Sequence, residues 1–349
     1  MNLFFKQFKH INLADVFFDS LKADYAEFSQ WFAKKSEDSA YVFQDDLGNI
    51  DGFLYVKIED GAVMDTVPPL PPQRRLKVGT LKINAHGTKL GERFVKKIFD
   101  HAISSGVNEI YVTVFAKHAP LIGLLSRYGF LLRASKTTPN GVENVYVKTV
   151  RMIHQDLVQT YPMVVARGQK IYMLALKPEW HTRLLPDSIL QNESDTIVQD
   201  VSHTNSIHKV YLTKMRGVEH VRRGDVILIY RTSDQPGRAY YRSVATSICV
   251  IEENRNIYSF ANEIEFLDYC RPYSVFTETE LRSFWARKQY PHILKFTYNM
   301  ALPKRVNRQQ MIDDFGLDAD AYAGFVHLSP QQFSGIVSHG GIDESLIVY

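Results

Sequence analysis

Between Leu76 and Phe130 the spacing of apolar residues changes period twice, and the changes mark a strand, a turn, a helix and a second strand. Leu76 and Val78 alternate on one face, and Leu81 and Ile83 then continue on odd numbers. A change of parity within one strand calls for an extra residue, and Gly79-Thr80 is where a bulge fits. Two short strands joined at a glycine would leave the same pattern. Leu90, Phe94, Ile98 and Ala102 recur every four residues, with Ile103 widening the stripe, so an amphipathic helix runs to Ser104-Ser105-Gly106. Glu109–Phe115 reads as a buried strand, and Pro120–Tyr128 as a short helix closed by Gly129-Phe130. Upstream, Asp15–Lys35 is helical in pattern, and Tyr41–Val56 reads as a hairpin with Asp51-Gly52 near its turn.

The second half carries short apolar runs between turns. Lys170–Leu176, Lys209–Thr213, Val226–Tyr230, Ser243–Glu252 and Ile293–Tyr298 read as strands, the third presented by Arg223-Gly224-Asp225. Helices are predicted over Glu278–Lys288 and Gln309–Phe315, and Ala323–Leu328 reads as a last strand running into a helix at Ser329-Pro330. The whole is an α+β chain: a mixed sheet with flanking helices, then a small, strongly bent β-barrel with helices. The boundaries predicted are 1–152 and 165–349.

Composition narrows the class. At 349 residues the chain is long enough for two cores, and 45% hydrophobic with 23% charged residues is ordinary for a globular protein. No apolar run approaches membrane-spanning length, and Met-Asn-Leu-Phe-Phe-Lys has no charged-then-apolar export pattern. Two cysteines, Cys249 and Cys270, are too few for a disulfide scaffold or a zinc site, so a reducing, cytoplasmic setting and no metal are expected. The run Pro68-Pro69-Leu70-Pro71-Pro72 predicts an extended loop near the mouth of a site.

Candidate chemistry gathers at the turn His86-Gly87-Thr88-Lys89-Leu90-Gly91. Glycines ahead of a helix leave backbone N–H groups and the positive end of the helix dipole facing outward, which suits a pyrophosphate. His86 is either a donor to phosphate or an ordinary loop histidine. Lys89 and Arg93 are either solvated helix-face charges or partners of an anion that offsets their opposition to the dipole. In the second half, the segment Lys209–Arg242 holds eight cations against three acids, enough to meet phosphate or simply to face solvent.

The strand, turn, helix, strand, short helix and Gly-Phe order over roughly residues 10–150 resembles the GNAT acyltransferase family. Its motif, Arg/Gln-x-x-Gly-x-Gly/Ala, follows a bulged strand and opens a helix; here His86 holds the first motif position, Lys89 the central glycine and Gly91 the last. The resemblance implies acetyl-CoA as cofactor, with Leu81, Ile83, His86, Gly87, Thr88, Lys89, Leu90, Gly91, Glu92 and His118 contacting it, and an amine-bearing acceptor. His118 stands where many members have asparagine. Leu125 stands where the family places the tyrosine that protonates the departing thiolate, so Tyr128 and Ser126 become the candidate catalytic side chains. A packed ring beside Phe130 is the alternative role for Tyr128.

Arg223–Tyr230, Ser243–Val250 and Gly324–Leu328 resemble the PUA-like superfamily, which holds ASCH and EVE domains. That resemblance implies recognition of RNA, a tRNA-linked substrate or a modified nucleotide. Lys214, Arg222, Arg223, Tyr230, Arg231, Tyr241 and Arg242 are the candidate nucleic-acid contacts; strand packing is the alternative role for the tyrosines. Two functions follow from the sequence: an acetyl-CoA-dependent N-acetyltransferase with a nucleotide- or RNA-reading module, or a degenerate coenzyme-binding scaffold joined to that module.

Overall fold

The computed structural model describes residues 2–45, 47–84, 89–188, 206–235 and 237–349. The chain is α+β and divides into two units, Met1–Gln159 and Thr160–Tyr349. The first is built on a seven-stranded sheet of β1 (Asn2–Gln7), β2 (Ser39–Gln44), β3 (Ile50–Glu59), β4 (Arg75–Ile83), β5 (Glu109–Phe115), β6 (Leu131–Thr138) and β7 (Gly141–Thr149). Their order in the sheet is β1-β2-β3-β4-β5-β7-β6, with β4–β5 parallel and the other neighbours antiparallel.

Two helices, α1 (Asp19–Asp24) and α2 (Phe28–Lys34), occupy the segment expected to be one helix. Phe18, just ahead of α1, and Phe28 and Phe32 of α2 pack in one cluster with Val42 of β2 and Phe53 and Tyr55 of β3. The longer α3 (Leu90–Ser104) buries Phe94, Val95, Ile98 and Phe99, its apolar stripe, and Phe94 meets Phe43 edge-on. The short α4 (Ala119–Arg127) has proline in its first turn, as the sequence predicts.

The β2–β3 turn lies earlier than Asp51-Gly52. Asp45 accepts hydrogen bonds from the amides of Leu47 and Asn49 and from the Asn49 side chain, closing the turn around Gly48, whose φ is +88°. Local side-chain capping of this kind outcompetes the Asp-Gly signal. Gly52 instead sits within β3, where a Cβ would come 2.4 Å from the Phe94 ring.

A single turn, α5 (Leu157–Thr160), spans the boundary between the units. The second unit has β8 (Val164–Val165), β9 (Ile171–Leu176), β10 (His208–Thr213), β11 (Val226–Arg231), β12 (Val244–Asn256), β13 (His292–Asn307), β14 (Phe325–Leu328) and β15 (Ile347–Val348). Six of them form a sheet in the order β10-β13-β12-β11-β9-β14, and β15 pairs with β8. Three register shifts between the long strands β12 and β13 bend it. Helices α6 (Pro178–Leu184), α7 (Ala239–Arg242), α8 (Glu263–Cys270), α9 (Glu278–Arg287), α10 (Arg308–Asp313) and α11 (Pro330–His339) pack around it, with Ser329 capping the last. Both cysteines are free and buried, and no group of metal-ligating side chains occurs among the described residues. No helix among them is long and apolar enough to cross a membrane.

Candidate functional site

The bulge in β4 falls where parity places it. Tyr55 faces Thr80 and Val56 faces Val78, so Gly79 is the extra residue. On the other side β4 runs parallel to β5 only from Arg75↔Glu109 to Val78↔Val112. Past that point β5 continues alongside β7 while β4 follows β3, and the two central strands part. From Gly79 to Ile83, alternate backbone N–H and C=O groups on the edge turned away from β3 therefore face an opening rather than a neighbouring strand. Glycine is required at the divide: a Cβ on Gly79 would lie 2.7 Å from Tyr55 Cδ1, and the Tyr55 hydroxyl is itself held by Asp38 at 2.6 Å.

Two cavities meet at this opening and share Leu21, Leu81, His118 and Leu121. The larger, about 500 Å³, runs along Leu81–Ile83 to the start of α3 and is closed by Pro120, Leu121 and Leu124 of α4. At positions N1 and N2 of α3 the amides of Leu90 and Gly91 have no acceptor within the helix. Gly91 lines the cavity, and a Cβ there would strike Leu124 Cδ2 at 2.7 Å. Lys89 caps the helix with φ +56°, ψ +23°, so lysine occupies the left-handed conformation for which the motif reserves glycine.

Leu81, Ile83, Lys89, Leu90, Gly91 and His118, all predicted cofactor contacts, come together here. His86, Gly87 and Thr88 lie outside the described residues. Glu92 does not join them: its side chain is buried and accepts from Arg127 at 3.1 Å. Asp24, which no local pattern singles out, ties the end of α1 to the start of α4 through Lys117 at 2.5 Å and His118 Nε2 at 2.9 Å. Burial pushes its carboxyl up, but the bonds to Lys117 and His118 outweigh that and hold it below the usual aspartate value.

The predicted catalytic residues are not at the opening. Tyr128 is 0% exposed in the core, and neither it nor Ser126 lines either cavity. Leu125 likewise faces the core, so α4 turns only Pro120, Leu121 and Leu124 toward the site. The closing turn of this short helix carries the Tyr128 ring inward, away from solvent.

The second cavity, about 280 Å³, is a trough over the same parting strands, walled by Tyr25, Phe28 and Trp31. Its floor holds Thr113 and Glu143. Glu143 is 4% exposed, and its Oε1 accepts from the Tyr25 hydroxyl at 2.7 Å and from Thr113 Oγ1 at 3.2 Å. Burial first, then the bond to Glu143, raises the Tyr25 pKa and keeps the phenol protonated.

In the second unit the predicted nucleic-acid contacts separate. Lys214, Arg222 and Arg223 are exposed. Tyr230, 1% exposed, and the buried Arg231 stand at the far end of β11, a strand about 17 Å long, from the turn that carries Arg222 and Arg223. A ring so buried offers no face to a base; β11 is paired on both edges, by β12 and β9, and all six of its residues are buried. Tyr241 is 65% exposed on α7, and Arg242 is engaged by Asp234 at 2.7 and 2.8 Å. A shallow cavity of about 600 Å³ beside α7 is lined by Thr232, Asp234, Ser243 and Arg308.

No family model and no curated protein matches the chain. Solved structures of two kinds do, N-acetyltransferases and an ASCH protein, each over about half its length. Arylalkylamine N-acetyltransferase 2 from Aedes aegypti matches 43% of this chain and 99% of its own at 13% identity and a TM-score of 0.34. Aminoglycoside 6'-acetyltransferase type Ii matches 45% and 100% at 17% identity and a TM-score of 0.33. The ASCH protein from Zymomonas mobilis matches 48% and 94% at 10% identity and a TM-score of 0.31. Likeness at this level carries no argument about activity; the parted strands and the cavities beside them do.

Proposed function

We propose that the first unit is a GNAT-type N-acyltransferase that takes its acyl group from acetyl-CoA. The observation that supports this most is the parting of β4 from β5 at the Gly79 bulge, with two cavities meeting at the gap. The residues present fit the coenzyme: an open strand edge suits an amide-bearing arm, and the Gly91 cradle at the start of α3 suits a pyrophosphate. Leu81, Ile83, Lys89, Leu90, Gly91 and His118 would hold it. When bound, the thioester supplies an activated acyl carbon.

The chain's own groups then act on the amine. Glu143 takes a proton from the incoming ammonium at the trough floor, and Tyr25 and Thr113 hold that carboxylate in place. Backbone N–H groups on the open edge of β4 polarise the acyl carbonyl, and the trough walls fix the amine beside it. The cavity face of α4 is apolar, so the proton for the departing thiolate comes from the attacking amine rather than from a helix side chain. Calorimetric titration with acetyl-CoA, followed by thiol release with a panel of amines, tests this. Binding with turnover is the expected result, and no binding would remove the assignment.

In the second unit the exposed Lys214, Arg222, Arg223 and Tyr241 support recognition of RNA or a nucleotide-bearing substrate. Affinity for such a partner falls steeply with salt if the cations meet phosphate; a salt-independent or absent interaction would exclude it.

A further inference from the structure

The trough that holds Glu143 is charged where a sheet face is ordinarily apolar. Lys57, Lys77, Lys136 and Glu143 all project from the sheet face that carries Phe53 and Tyr55. Lys57 and Lys77 stand directly opposite each other on β3 and β4, an unfavourable placement for like charges. A nearby anion offsets it. Glu59 pairs with Lys57, accepts from the Tyr111 hydroxyl, and lies 3.7 Å from Lys77 Nζ. Lys136 pairs with Asp65 at 2.6 Å, leaving its register partner Glu143 to neutral donors. Three ammonium groups thus share two carboxylates, and Lys77, with a side chain only 20% exposed, has the longest of these contacts. Burial lowers its pKa, and Lys136 and Lys57 lower it further against the pull of Glu59 and Asp65, so a further anion beside it would be stabilised.

Resting on the acyltransferase reading above, we infer that the acceptor is a small amine that also carries an anionic group, a carboxylate or a phosphate. Its ammonium end meets Glu143, which forms no ion pair among the described residues, and its anionic end meets Lys77 with Lys57 and Lys136. The about 280 Å³ trough is near the lower limit for ligand sites, which favours a molecule of amino-acid size over a folded partner. Tyr25, Phe28 and Trp31 also line the trough, and apolar surface beside charged groups strengthens their contacts by lowering the local dielectric.

The test uses the full chain with acetyl-CoA and matched acceptor pairs: 4-aminobutyrate against butylamine, and 2-aminoethyl phosphate against ethanolamine. The expected result is a kcat/KM at least about tenfold higher for the anionic member of at least one pair, carried by KM. The carboxylate and phosphate arms tell the two sources of charge apart. Lys77→Met removes the preference while leaving acetyl-CoA affinity unchanged, and Lys77→Arg retains it. Lys136→Met provides a second variant should the first fail to fold. Equal or better turnover of the amines that lack an anionic group overturns the inference and leaves the acyltransferase standing. Acetyl-CoA binding without calorimetric binding of either anionic amine also overturns it, whether or not any amine is acetylated.

Discussion

Both sheets of this protein contain β-bulges, and only one of them opens. In the second unit, β12 shifts register against β13 between Ala245 and Ser247, Ile248 and Cys249, and Ile251 and Glu253, yet the two strands stay paired from Val244 to Asn256. The shifts are spent on bending. In the first unit the extra residue of β4, Gly79, coincides with the end of β4–β5 pairing, and the polar edge it frees borders two cavities. A bulge alone therefore makes curvature; a bulge beside a departing neighbour makes a site.

Buried charge divides in the same way. Glu252 in the second unit is sealed: it pairs with His208 Nδ1 and lies 3.4 Å from Lys295. Glu143 in the first is equally buried but faces a trough with only hydroxyl donors as partners. One carboxylate holds a fold together, and the other waits for a cation.

The largest effect expected from this contrast is on turnover. Glu143→Gln should cut the acetyl-transfer rate about 10²–10⁴-fold at neutral pH, with acetyl-CoA affinity unchanged. A variant that retains its rate would dissociate Glu143 from proton removal. Next, Glu252→Gln should destabilise the second unit by about 3–5 kcal/mol in denaturant unfolding without touching coenzyme affinity. Burial pushes the Glu252 carboxyl up, but His208 and Lys295 outweigh it and hold it below the ordinary 4.5. Its contribution is therefore complete above about pH 4.5 and is lost as pH falls through the folded value. Melting of the second unit should accordingly soften on acidification in the parent and much less in the variant. Smallest of the three, Lys89→Gly relieves a left-handed residue and should raise stability by less than about 1 kcal/mol while weakening acetyl-CoA binding a few-fold. A fall in stability would mean that the Lys89 side chain, not its backbone, governs the turn.

How much of this was legible follows from where the signals lie along the chain. The bulge was readable because parity is a local property of eight residues, and α3 because its stripe repeats every four. The site's other half was not. Tyr25 and Glu143 are 118 residues apart, and a lone glutamate in a strand of alternating pattern carries no mark of what folds over it. Asp24 likewise acquires its role from Lys117 and His118, 93 and 94 residues away. Tyr128 and Tyr230 were misplaced for the opposite reason: a tyrosine in an apolar run has the same composition whether its ring faces a ligand or a core. The rotation of roughly 100° about α4 that separates Leu124 from Leu125 was equally invisible, although either residue leaves that helix without a proton donor toward the cavity.

The account depends on the free edge of β4, and a crystal structure of the full chain with coenzyme A addresses it most directly. The predicted result is the arm's amides hydrogen-bonded to the backbone between Gly79 and Ile83, with the pyrophosphate at the amides of Leu90 and Gly91. Coenzyme bound elsewhere, or a β4 edge that closes onto β5 and excludes it, would contradict the account.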